Sequence, residues 1–298
     1  MSSRSSSGNQ NETKTLEPPT DENGASSRDA QADQRAGSPL EKAMWGFYAA
    51  YMAYMIFLPT GPGLAPGDPI WGMKPPAWQE VLDLSFNFML VVTGLNTVGV
   101  HVVEAPTVHP VNEGLFNFVI IWSIMLAPLI IGDKRKVSLK TKELLWLGTM
   151  FITNVFAIPY MALRSGRPDA DLPLQGSDND DPSWARAFAR NILGGKKALG
   201  IVGLVIGTFM VYWGFFGRAD MGFGGIDERI QYFWGLVKSD RVMFAFVWDV
   251  ILYSIFQAWL VLDSAKSESE RGLAKIGAIP FVGLGLYLLL QPQEEVDG

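Results

Sequence analysis

Asp249 is the residue whose type and setting most directly imply chemistry. It lies in the apolar run Val242–Leu262, between Trp248 and Val250, with Tyr253 one turn later. An ionisable group at the centre of a membrane helix costs about 2.5–3.5 kcal/mol on insertion scales, so its presence there points to a use. The use could be a proton or cation site, or one half of a pair with a basic group on another helix. It could equally be a packing device, a carboxylate that reaches headgroup water or bonds a neighbouring helix. Arg241 is two turns away, about 12 Å along a helix axis, and is not its obvious partner. Asn87, Asn96, Asn117, Asn154 and Gln257 also lie inside apolar runs. Amides there bond across helices, and one or two could line a path.

A second constellation is His101, Glu104, His109, Asn112 and Glu113. His101 and Glu104 are one turn apart, a spacing that lets two ligands face one ion if the helix continues. Pro106 and Pro110 interrupt the backbone, however, and a di-iron carboxylate site needs Glu before His on each of two helices. The plainer reading makes Glu104 and His109 solvated loop residues and sets Asn112-Glu113 at the positive end of a helix dipole. No metal site is assigned. With no cysteine in the chain, disulfides, thiol chemistry and Cys-ligated metals are excluded. There is no GxxxxGK[ST], HExxH or GxSxG, so no enzyme signature is present.

The elements that would hold these residues are membrane helices. Only 18% of the 298 residues are charged, against about 25% in ordinary soluble domains, and the mean hydropathy is +0.16. Charges are absent from Ala43–Gly67, Leu84–Val103, Gly114–Gly132, Leu144–Leu163, Ala198–Gly217 and Ile276–Gln293. A hydrocarbon layer about 30 Å thick takes roughly 20 helical residues. The sequence therefore predicts an all-α integral membrane protein, a bundle of about seven transmembrane helices with short interfacial helices. The spans are Ala43–Leu58, Val81–Val103, Gly114–Ile131, Leu144–Leu163, Leu199–Phe216, Val242–Leu262 and Ile276–Leu290. Pro280 in the short last run keeps six spans open. Residues 43–290 form the helical domain, followed by a short acidic tail, 291–298.

Residues 1–42 hold eight serines, no aromatic residue, and Leu16 and Leu40 as their large aliphatics, a composition that predicts a disordered tail. Its acids speak against a full transit peptide, although the first eleven residues are acid-free. Asp181-Pro182 starts a helix on which Trp184, Phe188 and Ile192 recur, and Ile226, Ile230, Phe233 and Val237 recur on another. Both patterns fit helices lying at the bilayer surface. Gly200, Gly207 and Gly214 fall seven apart, and Gly203 with Gly207 makes a GxxxG, a face for close helix packing. Counting Lys and Arg in alternate loops of a seven-span chain gives eleven against ten, which leaves the orientation open. A net charge of −6 argues against nucleic acid as a partner.

Several stretches resemble an uncharacterised multi-pass family of cyanobacteria and of algal and plant plastids. They are His109-Pro110-Val111-Asn112-Glu113-Gly114-Leu115-Phe116-Asn117, Ile158-Pro159-Tyr160-Met161-Ala162-Leu163-Arg164, Arg241–Asp263 with Asp249, and Pro280 through Leu286-Tyr287-Leu288 to Gln291-Pro292. The resemblance implies a chloroplast, thylakoid or other plastid membrane location and carries no assigned activity or cofactor.

Taken together, the sequence favours a non-enzymatic accessory or assembly factor that binds the bilayer and other membrane proteins. It leaves open a small-solute or ion transporter using Asp249, and pigment or haem binding through His101 or His109.

Overall fold

The computed structural model describes residues 38–61, 65–169, 195–265 and 267–291. The helix expected around Trp184–Ile192, most of the N-terminal tail and nearly all of the acidic C-terminal tail lie outside these residues. Among the described residues the chain is all-helical, with no named strand. Its helices are α1 (Pro39–Met52), α2 (Pro75–Phe86), α3 (Val91–Thr97), α4 (Pro110–Ile131), α5 (Leu139–Ser165), α6 (Gly195–Phe216), α7 (Ile226–Ser239), α8 (Arg241–Ser264), α9 (Glu268–Gly277) and α10 (Val282–Leu290). The first helix thus begins inside the stretch assigned to the tail. Among the described residues four helical segments are long and apolar enough to cross a membrane: Pro110–Ile131, Leu139–Ser165, Gly195–Met221 and Arg241–Ser264.

The central helix is α4. It starts at Pro110, whose missing N–H costs nothing in a first turn, behind His109, whose ring Nδ1 accepts from Val111 N at 3.2 Å. Along it α6 packs so closely that a methyl on Gly114 would sit 2.6 Å from the Met210 carbonyl oxygen. Side-chain contacts define two polar sides. On the Glu113 side, the start of α4 meets Arg218, just beyond α6. On the Asp133 side, just beyond α4, the end of α8 supplies Asp263 to the same guanidinium that holds Asp133.

Helix α5 is the largest departure from the sequence expectation. Its composition suits a span, yet it folds back on itself. Ile152 (φ −134°, ψ 44°) and Thr153 (φ 22°, ψ −106°) leave helical geometry. Lys142 near its start and Arg164 near its end both bond to Asp133. Twenty-two residues of continuous helix would hold them about 33 Å apart. Gly148 lies against the Phe156 ring, as two arms meeting at residue 152 require. So α5 is a hairpin that enters and leaves on the Asp133 side.

The expected spans Val81–Val103 and Ile276–Leu290 are also broken. Met89 and Leu90 have φ of 53° and 56° between α2 and α3, and both arms stay on the Glu113 side, Glu80 bonded to Asn112 and Thr93 to Arg218. Phe281 has φ 55° between α9 and α10, and Tyr287 returns to Ser264 (2.8 Å) on the Asp133 side. The expected first span is realised as α1 plus a five-residue π-turn, Ala53–Phe57. It runs from Glu41, against Gly166 on the Asp133 side, to Tyr54–Leu58, whose carbonyls meet Arg241 on the Glu113 side.

Four segments therefore run between the polar sides: α1, α4, α6 and α8. Hairpins and the amphipathic α7 fill the rest, so α1 starts and α10 ends on one side. Among the described residues this regrouping removes the tie in the positive charges. Lys42, Lys134, Arg135, Lys136, Lys140, Lys142, Arg164, Arg167, Lys196, Lys197, Arg271 and Lys275 belong to the Asp133 side, against Lys74, Arg218, Arg229, Lys238 and Arg241 on the other. Positive residues concentrate on the side that is not translocated.

Because the chain has no cysteine, single cysteines report topology directly. Cysteines at Lys140, Arg167 and Lys196 are expected to react with an impermeant maleimide from one face of sealed vesicles, and those at Lys74 and Lys238 from the other. Opposite sidedness of Lys140 and Arg167 would restore α5 as a span.

Candidate functional site

On the Glu113 side a buried ion pair locks a broken segment in place. Glu113 is 1% exposed. Its Oε1 accepts from Arg218 Nη2 (2.8 Å) and Asn87 Nδ2 (2.9 Å), and its Oε2 from Arg218 Nε (3.0 Å) and Trp213 Nε1 (2.8 Å). Arg218 also donates to the Pro106 carbonyl at 2.9 Å. Asn87 accepts from Thr93 N, and Asn117 Oδ1 accepts from Met89 N at 2.7 Å, so the peptide groups at the α2–α3 break are satisfied by side chains. Asn96 donates to the Val100 and Val103 carbonyls and accepts from Ala105 N, folding the following loop over α3. His101 and Glu104 pair with each other at 2.9 Å on that exposed loop, away from His109.

His109 stacks on Tyr232 with centroids 3.6 Å apart. Burial and the nearby Arg229 charge lower its pKa to about 4. Burial and the Glu80 charge push the Tyr232 phenol up to about 12. The histidines are thus separate, and no three His, Asp or Glu among the described residues are placed to hold a metal ion.

Two further arginines serve as caps that the sequence did not announce. Arg229, 2% exposed, donates to the Gly224, Gly214 and Gly217 carbonyls, closing the C-terminus of α6. Arg241 donates to five carbonyls, Tyr54, Met55, Leu58, Pro66 and Gly67, closing the end of the first span. On the Asp133 side Arg164 bridges Asp133 (2.8 Å) and Asp263 (2.8 Å), with its guanidinium 5.4 Å from the Trp259 ring. Burial works against the Asp133 carboxylate, but the Arg164 bonds and the Tyr160 hydroxyl (2.6 Å) hold it below the usual range.

Between these sides lies Asp249, with no exposed surface. Its Oδ1 accepts from Asn154 Nδ2 at 2.7 Å. Thr153 lies beside the carboxylate, and Tyr51 reaches both Asn154 and Asp249. All of this sits at the tip of the α5 hairpin. Among the described residues, Asp249 Oδ2 and Asn154 Oδ1 have no hydrogen-bond partner, and no cation is paired with the carboxylate. Nearby, the Ser123 and Tyr253 hydroxyls share a 2.6 Å bond and lie 3.2 and 3.4 Å from the Thr149 carbonyl, so one hydroxyl donates to the other and the second donates to the carbonyl. Gln257 uses all its capacity at the third hairpin, accepting from Trp122 Nε1 (2.7 Å) and Phe281 N (3.1 Å) and donating to the Gly277 (2.7 Å) and Ile279 (2.8 Å) carbonyls.

The glycine face of α6 is filled from within the chain. Gly200 abuts the Gly285 carbonyl, Gly203 the Met125 side chain and Gly207 the Phe281 ring, while Gly214 lies beside Pro110 and Val111.

Comparison with family models, curated proteins and solved structures returns no match.

Removing one partner of a buried ion pair leaves the other charged and dry, at a cost of about 3–5 kcal/mol. Arg218→Ala should lose that much in denaturant unfolding, and Glu113→Gln/Arg218→Met should recover a large part of it. For His109 the folded pKa lies below the unfolded value of 6.5. The stability it contributes is complete above that value and is lost as pH falls towards about 4. With only two histidines in the chain, imidazole NMR should show the His109 ring neutral at pH 5.5.

Proposed function

We propose that the protein conducts or exchanges a small cation or a proton across its membrane, with Asp249 as the binding group. The observation that carries this reading is the pairing of a fully buried carboxylate with the tip of a re-entrant hairpin. The first arm of α5 ends, and the second begins at Asn154, where the positive end of a half-helix faces the aspartate. Broken helices whose ends meet near the midplane are the construction by which membrane transporters hold ions. The free Oδ2 and the free Asn154 Oδ1 are oxygen acceptors of the kind that hold a proton or a hard cation.

The accessory-factor reading drew on the glycine face of α6, on two interfacial helices and on the lack of a catalytic motif. The glycine face is filled by α4, Phe281 and α10, so that feature reports packing within the chain. Haem or pigment binding drew on the histidines, and the His109 ring is stacked and hydrogen-bonded at Nδ1. On the family resemblance, we take the membrane to be a photosynthetic or plastid one.

Reconstitution tests the proposal. Proteoliposomes of the full chain carrying an internal pH dye, with Na⁺, K⁺ or Mg²⁺ gradients, should show a flux absent from empty vesicles. Asp249→Asn, which keeps the acceptor for Asn154, should reduce it at least tenfold while melting like the parent. Equal flux in both proteins would end this reading.

A further inference from the structure

We infer that the Glu113 side carries an outer binding site for a divalent metal cation, formed by Glu80, Asn112 and Asp240. This rests on the cation-transport reading for its role and names the substrate as a hard metal ion rather than a proton. The three residues line one narrow cleft with Ala77, Val242 and Phe246. Asn112 is 4% exposed. Its amide nitrogen donates to Glu80 and, at 3.3 Å, to the Tyr232 hydroxyl. That leaves Oδ1 buried, with no partner among the described residues, in a cleft that also holds two carboxylates. Asp240 spends one oxygen capping α8, where Oδ1 accepts from Met243 N at 2.7 Å, and keeps Oδ2 free of that bond.

The ligand set is therefore two carboxylates and an amide carbonyl, all oxygen, which suits Mg²⁺ or Ca²⁺ and offers nothing to softer metals. Two arginines of this side and His109 do not compete. Arg241 and Arg229 are turned to backbone carbonyls, and His109 stays neutral at pH 7. Glu80 also lines an open groove with Gln79, Asp83 and Thr107. On the inner side, Phe246 meets Phe116 edge-on at 5.8 Å. Phe246, which lines the outer cleft, precedes Asp249 by three residues, less than one turn of α8.

The test uses the purified full chain in detergent, unfolded thermally and followed by tryptophan fluorescence. MgCl₂, CaCl₂ and NaCl are titrated at constant ionic strength with choline chloride. Mg²⁺ or Ca²⁺ should raise Tm saturably and Na⁺ should not. Glu80→Gln, which preserves the bond to Asn112, and Asp240→Asn, which preserves the cap on α8, should each weaken the apparent affinity at least tenfold. In an Asp249→Asn background, which removes the inner carboxylate, saturable binding and its loss on Glu80→Gln should both persist, which separates this site from the inner one. An unchanged affinity in Glu80→Gln, or no saturable shift with either divalent ion, would overturn the proposal. Loss of binding in Asp249→Asn would overturn its assignment to this cleft. Flux that fails while binding persists counts against the transport reading alone.

Discussion

A peptide group released from a helix inside an apolar layer has no water to turn to, and leaving it unpaired costs several kcal/mol. This chain breaks its helices at Asn87–Leu90, Ile152–Thr153 and Ala278–Phe281. Each break is met by a polar side chain from a neighbouring helix. Asn117 takes the Met89 N–H, the linked Ser123 and Tyr253 hydroxyls serve the Thr149 carbonyl with one proton, and Gln257 closes the turn between α9 and α10. Since a side chain can do this only from a fixed distance, the breaks and the through-running helices determine each other's positions. α4 supplies partners to the first two breaks directly and to the third through Trp122, which donates to Gln257.

The charges obey the same constraint. Among the described residues Arg229 and Arg241 have no carboxylate partner; they take up the unpaired carbonyls at the ends of α6 and the first span. A guanidinium presents five donors in a rigid fork, and the carbonyls of a helix end carry partial negative charge, so one arginine satisfies several groups at once. Glu113–Arg218 and Asp133–Arg164 do the corresponding work between elements. Buried pairs of this kind contribute little net stability, because desolvation offsets the attraction. They specify arrangement instead, tying a hairpin or loop to one place on α4.

Helical character was legible in the sequence because soluble helices keep a polar face, and charge-free runs of bilayer length leave no room for one. The number of crossings was not. A run such as Leu144–Leu163 reads identically whether it crosses or turns back, since both fates expose it to the same apolar surroundings. The reversal at Ile152–Thr153 contains neither glycine nor proline, so the usual punctuation is missing. Its partner Asn154 was visible as an intramembrane amide, as were Asn87, Asn96 and Gln257, but an amide does not announce whether it bonds another helix or a broken backbone. Arg218 and Arg229 were not legible, because basic residues beside glycine-rich turns read as solvated loop. The motifs around His109–Asn117 and Ile158–Arg164, by contrast, hold Asn112, Glu113, Asn117, Tyr160 and Arg164, residues that bond the hairpins and sides together.

Asp249 must be weighed against the same structural logic, since it also bonds a hairpin tip. Its Oδ1 accepts from Asn154 Nδ2, and Thr153 lies beside the carboxylate. An asparagine of nearly equal volume would offer that acceptor without a charge to bury. Each of the other breaks is in fact served by a neutral group: Asn117 at the first, Gln257 at the third, and the Ser123 and Tyr253 hydroxyls beside Asp249 itself. The carboxylate therefore exceeds what packing asks of this position. Its second oxygen is unpaired among the described residues, and the neighbouring amide oxygen is unpaired with it. A buried charge costs several kcal/mol after relaxation, and no cation faces this one among the described residues. On the proposed reading a proton or a metal ion supplies the missing positive charge, so the centre is stable when loaded and costly when empty. Loading and unloading of that kind is what a conducted ion requires.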